Sequence, residues 1–295
     1  MKLSQSNEDA IIETICSRLS SSDQVIVGPG DDCAVVRRNA QHHSLLKTDC
    51  VIESVHFLPQ EDPKRVGWKA AARVISDIAA MGGTPEHLLV TVMLRKDTNM
   101  LWLESLYQGL EACASHFHTT IVGGETSSLA PGSMNAISIA GTGRVRTDQF
   151  VLRSTAQEGD QLFVTGELGG SLSGHHLDFI PRLAEAQHLV QQHKPNAMMD
   201  LSDGLAKDLP RLCKLSQLGY TLDRASLPCR AQCSVEEALN DGEDYELLFS
   251  IAAADADDLM KRWPKDLAPL THIGTLHAID ANTQQLPSGG WDHFA

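Results

Sequence analysis

Acidic residues recur in this chain where chemistry on phosphates would need them. They lie in GPGDDCAVV (Asp31, Asp32), LLKTDC (Asp49), VISDIAAMGG (Asp77), IVGGETSS (Glu125), MMDLSDG (Asp200, Asp203) and NDGEDYELLF (Glu243, Asp244). Each stands at the end of an apolar run or just before glycines, often beside a hydroxyl or a glycine. Adjacent carboxylates repel and are costly to desolvate near a core, so Asp31 and Asp32 require positive charge nearby. Hard oxygen donors such as Asp, Glu and the Thr hydroxyl suit Mg²⁺. Several Mg²⁺ ions would offset the repulsion and attract phosphates. Taken singly, each acid is equally a turn former or a helix cap, and Asp77 is equally an i,i+4 partner of Arg73. It is the recurrence that carries the metal reading.

Other chemistries lack their motifs. There is no G-x-x-x-x-G-K-[ST] and no strand-G-x-G-x-x-G-helix unit, since GTGRVR lacks the third glycine. There is also no G-x-S-x-G and no H-E-x-x-H. The balance of 24 Lys plus Arg against 38 Asp plus Glu, a net charge of −14, argues against a nucleic-acid partner. An apolar fraction of 42% and a charged fraction of 21% are those of a soluble globular protein. No run approaches the ~18 apolar residues of a membrane span. The opening MKLSQSNEDAIIETICSRLS does not read as a signal peptide. Seven scattered cysteines read as reduced thiols, which points to the cytoplasm.

The elements that must position these acids alternate. Strand-like runs cover 24–28, 87–94, 119–124, 135–145, 161–166 and 245–252, with a further apolar run after Asp32. Helical patterns cover 8–20, 63–81, 100–117, 181–193, 203–218 and 253–263. Asp62 caps the second of these and Pro63 suits its first position, while MGG closes it. The polar stretch around 147–160 predicts a boundary, hence two α/β domains, 1–148 and 149–295. The end of the chain reads as a loop-like tail carrying two aromatics.

In order along nearly the whole chain, GPGDDCAVV, KTDCVIESVHF, SDIAAMGGTP, LYQGLEACASHF, IVGGETSS, LRSTAQEGDQLFVTG, MDLSDGLAKDLPRL, DGEDYELLF and GWDHF resemble the thiamine-monophosphate kinase family of the aminoimidazole-ribonucleotide-synthetase-like superfamily. The resemblance implies a two-domain α/β fold whose N-terminal mixed sheet pairs across a homodimer. It implies ATP and several Mg²⁺ ions among the acids, and transfer of the γ-phosphoryl group to thiamine monophosphate. By matching position, Asp32, Thr48, Asp49, Asp77, Glu125, Asp200 and Asp203 would hold metal. Tyr107, Gly124, Glu125 and Ser202 would contact ATP, and Arg153 would reach its phosphates. Asp32, Asp49, Asp203 and Arg153 would carry the catalysis. His56, Glu243 and Trp291 would face the vitamin substrate. Bland roles stand beside four of these: Trp291 as a tail anchor, Tyr107 as a core residue, His56 as a satisfied histidine, and Arg153 in a surface ion pair.

Three features depart from the family pattern. Glu125 stands where the family has Asp, and its extra methylene displaces the carboxylate by about one bond. Lys47 precedes Thr48 where a small residue is usual; its ammonium would take a cation's place, contact a phosphate, or point away. The stretch SGHHLDFIPR is short, which bears on the substrate side. An alternative thus stays open: a nucleotide-binding homologue inactive as a kinase, or one acting on another phosphorylated substrate.

Overall fold

The computed structural model describes residues 3–279, 286 and 289–294. In chain order its helices and strands are α1 (Glu8–Cys16), β1 (Val25–Val27), β2 (Ala34–Arg37), β3 (His42–Ile52), α2 (Pro63–Ala80), β4 (Thr84–Arg95), α3 (Met100–His116), β5 (Thr120–Leu129), β6 (Ala136–Arg146), β7 (Gln161–Thr165), α4 (His175–Asp178), α5 (Leu183–Gln192), β8 (Ala197–Asp200), α6 (Leu205–Ser216), β9 (Leu218–Leu222), α7 (Val235–Asn240), β10 (Leu247–Ile251), α8 (Ala253–Arg262) and β11 (Leu270–Ala278). One sheet has the order β1-β2-β3-β6-β4-β5 and the other β8-β10-β7-β11-β9. The first is mixed: β4 and β5 run parallel, joined through α3, while the other pairs are antiparallel. This is the α/β architecture of two sheets that the alternating pattern predicts. The end of the tail is described only at 286 and 289–294; the rest of that predicted loop lies outside the described residues.

The first sheet has two unlike faces. Strand alternation sends Leu45, Lys47, Asp49 and Val51 of β3 toward α2, and Leu46, Thr48 and Cys50 the other way. Register then aligns Thr48 with Ala140 and Leu89 on the outer face, and Cys50 with Ser138, Thr91 and Glu125. Leu46, Leu89 and Val122 of this sheet are exposed.

Helix α2 lies between the layers. The Asp62 side chain accepts from Lys64 N at 2.9 Å and Pro63 occupies the first position, as the sequence predicts. Gly82, at φ 72°, ends it by returning its N–H to Ala79 O. Gly67 and Gly109 let the α2 and α3 backbones touch: a Cβ on Gly109 would fall 1.8 Å from Lys64 O. Toward its C-terminal end, Ala79 and Ala80 pack with Val151, Phe163 and Phe249, tying the helix to the second sheet.

Candidate active site

The cleft between the two sheets has a volume of about 420 Å³ and is lined by charge. Its floor is assembled from four separate elements. The turn before β2 supplies Asp31 and Asp32, β3 supplies Lys47 and Asp49, α2 supplies Arg73 and Asp77, and the end of β8 supplies Asp200. Asp32, Asp77 and Asp200 are buried and each offers a carboxylate oxygen within 4.8 Å of the others. An all-oxygen set at that spacing fits a hard divalent ion such as Mg²⁺.

The adjacent aspartates receive the positive charge they require from Arg153, in the segment linking β6 to β7. Its Nε reaches Asp32 Oδ2 at 3.2 Å and its Nη2 pairs with Asp32 Oδ1, while its backbone N–H donates to Asp31 Oδ2 at 3.1 Å. Lys47 Nζ donates to Asp77 Oδ1 at 2.7 Å, and Arg73 pairs with Asp49 at 3.0 Å. Arg73 therefore bonds across to β3 and not to Asp77 one turn along its own helix. Ser76 Oγ donates to Asp200 Oδ2 at 2.5 Å.

These contacts set the protonation of the floor. Burial, with Asp32 adding repulsion, pushes Asp31 up to about 7. Burial and the Asp32 charge also push Asp200 up to about 7, against the Ser76 hydrogen bond, Lys47 and Arg153. Burial lifts Asp77 well above the usual range although Lys47 opposes it. Asp49 goes the other way: burial opposes its charge, yet Arg73 and Lys47 hold it below the usual range. Burial also works against the Lys47 ammonium, but Asp77 and Asp49 hold it charged, above the usual lysine value.

A second cavity of about 120 Å³ adjoins the first and shares Arg73, Ser202, Asp203, Tyr245 and His293 with it. Its wall is more apolar, with Val55, Leu172 and Trp291, and it holds His56 and Glu243. The loop after β8 is zipped to residues 243–246: Glu243 N–H donates to Ser202 O, Tyr245 N–H to Leu201 O, and Leu201 N–H to Glu246 O. Glu243 (φ 64°) and Tyr245 (φ 53°) are left-handed non-glycines, each costing on the order of 1–2 kcal/mol, a kind of strain that concentrates at working sites. Tyr245 stacks on Phe179 with ring centroids 3.9 Å apart. Lys69, fully buried on α2, donates to Glu243 at 2.8 Å and to His56 O at 2.5 Å. Burial lowers its pKa to about 8 despite Glu243. His56 accepts from Ile52 N–H through Nδ1, and burial with Arg73 and Lys69 lowers it to about 3, so the ring is neutral.

Asp203 sits at the mouth, paired with Arg211 at 2.5 Å and Lys207 at 3.2 Å, its own N–H held by buried Asp208. Lys207 and Arg211 also bind Glu8 and Asp9, so α1, which has no buried residue, crosses the mouth on ion pairs. Trp291 is half exposed; its N–H donates to Asp203 O and its indole donates to His293.

The cleft and its neighbour thus bring together Asp32, Asp49, Asp77, Arg153, Asp200, Ser202, Asp203, His56, Glu243 and Trp291. Four expected residues lie elsewhere in the structure. Thr48 faces outward because its neighbours Lys47 and Asp49 take the inner row. Gly124 and Glu125 lie mid-strand in β5, where Glu125 shares the outer face and Gly124 abuts Val90 O. Tyr107 packs from α3 against the first core. Sequence reasoning did not pick out Lys69, Ser76, Tyr245, Arg211 or His293 as site residues. The i, i+4, i+7, i+8 spacing of Lys69, Arg73, Ser76 and Asp77 on one helix was the available signal for two of them.

A family model described as AIR synthase related protein, N-terminal domain, matches residues 30–145, and its C-terminal counterpart matches 157–280. The thiamine-monophosphate kinase of Rhodopirellula baltica is 35% identical, aligning 84% of this chain with 83% of that protein. The thiamine-monophosphate kinase of Escherichia coli K12 is 31% identical over 98% of each. Among solved structures, AaThiL complexed with AMPPCP and TMP is 30% identical, with a TM-score of 0.86 over 99% of each chain. With both domains matched and relatives aligned along most of its length, this chain belongs to the thiamine-monophosphate kinase family.

Proposed function

We propose that this protein transfers the γ-phosphoryl group of ATP to thiamine monophosphate, giving thiamine diphosphate and ADP. The observation that carries the reading is the junction of two unlike cavities. One is an acid-floored cleft rimmed by Arg73, Arg153 and Lys47, and the other is a small apolar pocket with a carboxylate; Ser202, Asp203 and Tyr245 stand between them. The similarity to AaThiL, solved with AMPPCP and TMP, supports placing the nucleotide in the first and the vitamin in the second.

Phosphoryl transfer asks mainly for alignment and neutralisation of charge. The acceptor phosphate has a second pKa of ~6, so it is already mostly dianionic at neutral pH and needs no general base. In the transfer, the bond from γ-phosphorus to its bridging oxygen breaks as one forms to an oxygen of the acceptor phosphate. Arg153 neutralises charge on the moving group. Asp32, Asp77 and Asp200 would hold Mg²⁺, with Asp49 and Asp203 at the flanks; the ion would supply charge neutralisation between acids and phosphates. Glu243 and the Trp291 face suit the thiazolium cation, and neutral His56 lines the pocket beside them.

Thr48 and Glu125 belong to the outer face of the first sheet together with Leu46 and Leu89, and Gly124 is exposed beside them in the edge strand β5. A homodimer closed across that face would bring them to a shared site. We take residues 1–148 and 149–295 as the two domains, with the cleft between them.

The test is a coupled assay of purified protein with ATP, Mg²⁺ and thiamine monophosphate, read as thiamine diphosphate by chromatography, with Asp32→Asn run beside it. Product from the wild type and none from the variant is expected. Mg²⁺-dependent ATP binding without product from the wild type refutes the kinase.

A further inference from the structure

Five carboxylates meet at the floor of the cleft: Asp31, Asp32, Asp49, Asp77 and Asp200. Three side-chain cations are bound among them: Arg153 on Asp32, Arg73 on Asp49 and Lys47 on Asp77. Two negative charges are left uncompensated when all five acids are ionised, the charge of one divalent ion.

Lys47 differs from the two arginines in shape. A guanidinium spreads its charge over a planar fork, whereas an ammonium is a compact point charge. The inner row of β3 aims this one into the acid cluster, where Nζ lies 2.7 Å from Asp77 Oδ1 and about three-quarters of the side chain is covered, 23% remaining exposed. A magnesium ion on that same oxygen would sit at about 2.1 Å, so ammonium and metal compete for its lone pairs and repel one another.

We propose that Lys47 is a resident cation that takes the place of a divalent ion at the Asp49–Asp77 end of the cluster. The carboxylates of this chain then hold one divalent ion, on Asp32, Asp200 and the Asp77 oxygen that Lys47 does not hold, besides any that the nucleotide brings. The Lys47 ammonium supplies fixed positive charge to the bound phosphates at every metal concentration. The inference rests on the kinase reading only in giving that charge a phosphate to meet.

The experiment counts ions and does not follow turnover. Full-length wild type, Lys47→Ser and Lys47→Ala are titrated with Mn²⁺ in the presence of a non-hydrolysable ATP analogue, and free Mn²⁺ is read by electron paramagnetic resonance. Each variant is expected to bind one more Mn²⁺ per chain than the wild type. Equal counts in the folded variants overturn the proposal. Anomalous diffraction from wild-type crystals with Mn²⁺ and the same analogue decides the matter without a variant. No manganese peak is expected on Asp77 Oδ1, and one there, with Lys47 turned away, overturns it. Because neither readout needs thiamine diphosphate, failure of the kinase reading is seen separately in the coupled assay.

Discussion

Asp200 allows the electrostatics of the cleft floor to be tested with no substrate present. The residue is 2% exposed, and burial together with the Asp32 charge raises its pKa from 3.8 to about 7. Between those values the folded protein holds a proton that the unfolded chain has released, so stability falls as pH rises through this window. About three pKa units at 1.36 kcal/mol each give a penalty of about 4 kcal/mol at pH 8. At pH 5 the penalty is only about 1.5 kcal/mol, so roughly 2.5 kcal/mol of it appears between the two. Asp200→Asn removes the titrating group and keeps an oxygen to accept from Ser76 Oγ, now 2.5 Å away. In EDTA, urea unfolding should find the variant more stable than wild type at pH 8, with the gap narrowing by about 2.5 kcal/mol at pH 5. Added Mg²⁺ should stabilise the wild type preferentially and close the gap at pH 8. A gap that does not change with pH, or a variant less stable than wild type at pH 8, refutes the claim that burial without metal raises the Asp200 pKa.

Other positions give separable outcomes. Lys69→Met leaves Glu243 without its buried partner and should cost about 3 kcal/mol in urea unfolding, with a higher KM for thiamine monophosphate. Trp291→Ala should raise that KM about tenfold, the equivalent of ~1.4 kcal/mol, and leave nucleotide affinity unchanged; an unaltered KM would make Trp291 an anchor of the tail alone. Gly109→Ala forces a methyl group into Lys64 O and should destabilise by about 3 kcal/mol, seen as a lowered urea midpoint.

The sequence shows the acids far more clearly than the cations that balance them. Asp32, Asp77 and Asp200 sit in short repeated settings of glycine, hydroxyl and apolar run. Their partners lie far off in the chain: Lys47 is 30 residues from Asp77, and Arg153 is 121 from Asp32. Only sheet topology brings them together, and a chain read locally gives no hint of it. Helices α2 and α3 are legible nearly to the residue because caps and apolar period agree. Strand β3 is hidden because its inner row contains Lys47 and Asp49, so a strand passing through a polar site lacks the apolar alternation that marks one. Helix α7 is short, yet the reciprocal Ser234–Glu237 capping box was there to be found. The expected helix over 8–20 stops at Cys16 because α1 buries no side chain that would carry it further.

Helix α2 bears Lys69, which grips the pocket carboxylate Glu243, and eight residues later Asp77, in the floor of the cleft. Eight residues of α-helix advance ~12 Å, so one rigid rod fixes the separation of the two stations. Inserting or deleting a single residue between them would turn one station ~100° away from the other and disable both together. The distance between cleft and pocket is thus set by a helix and not by the loops around them.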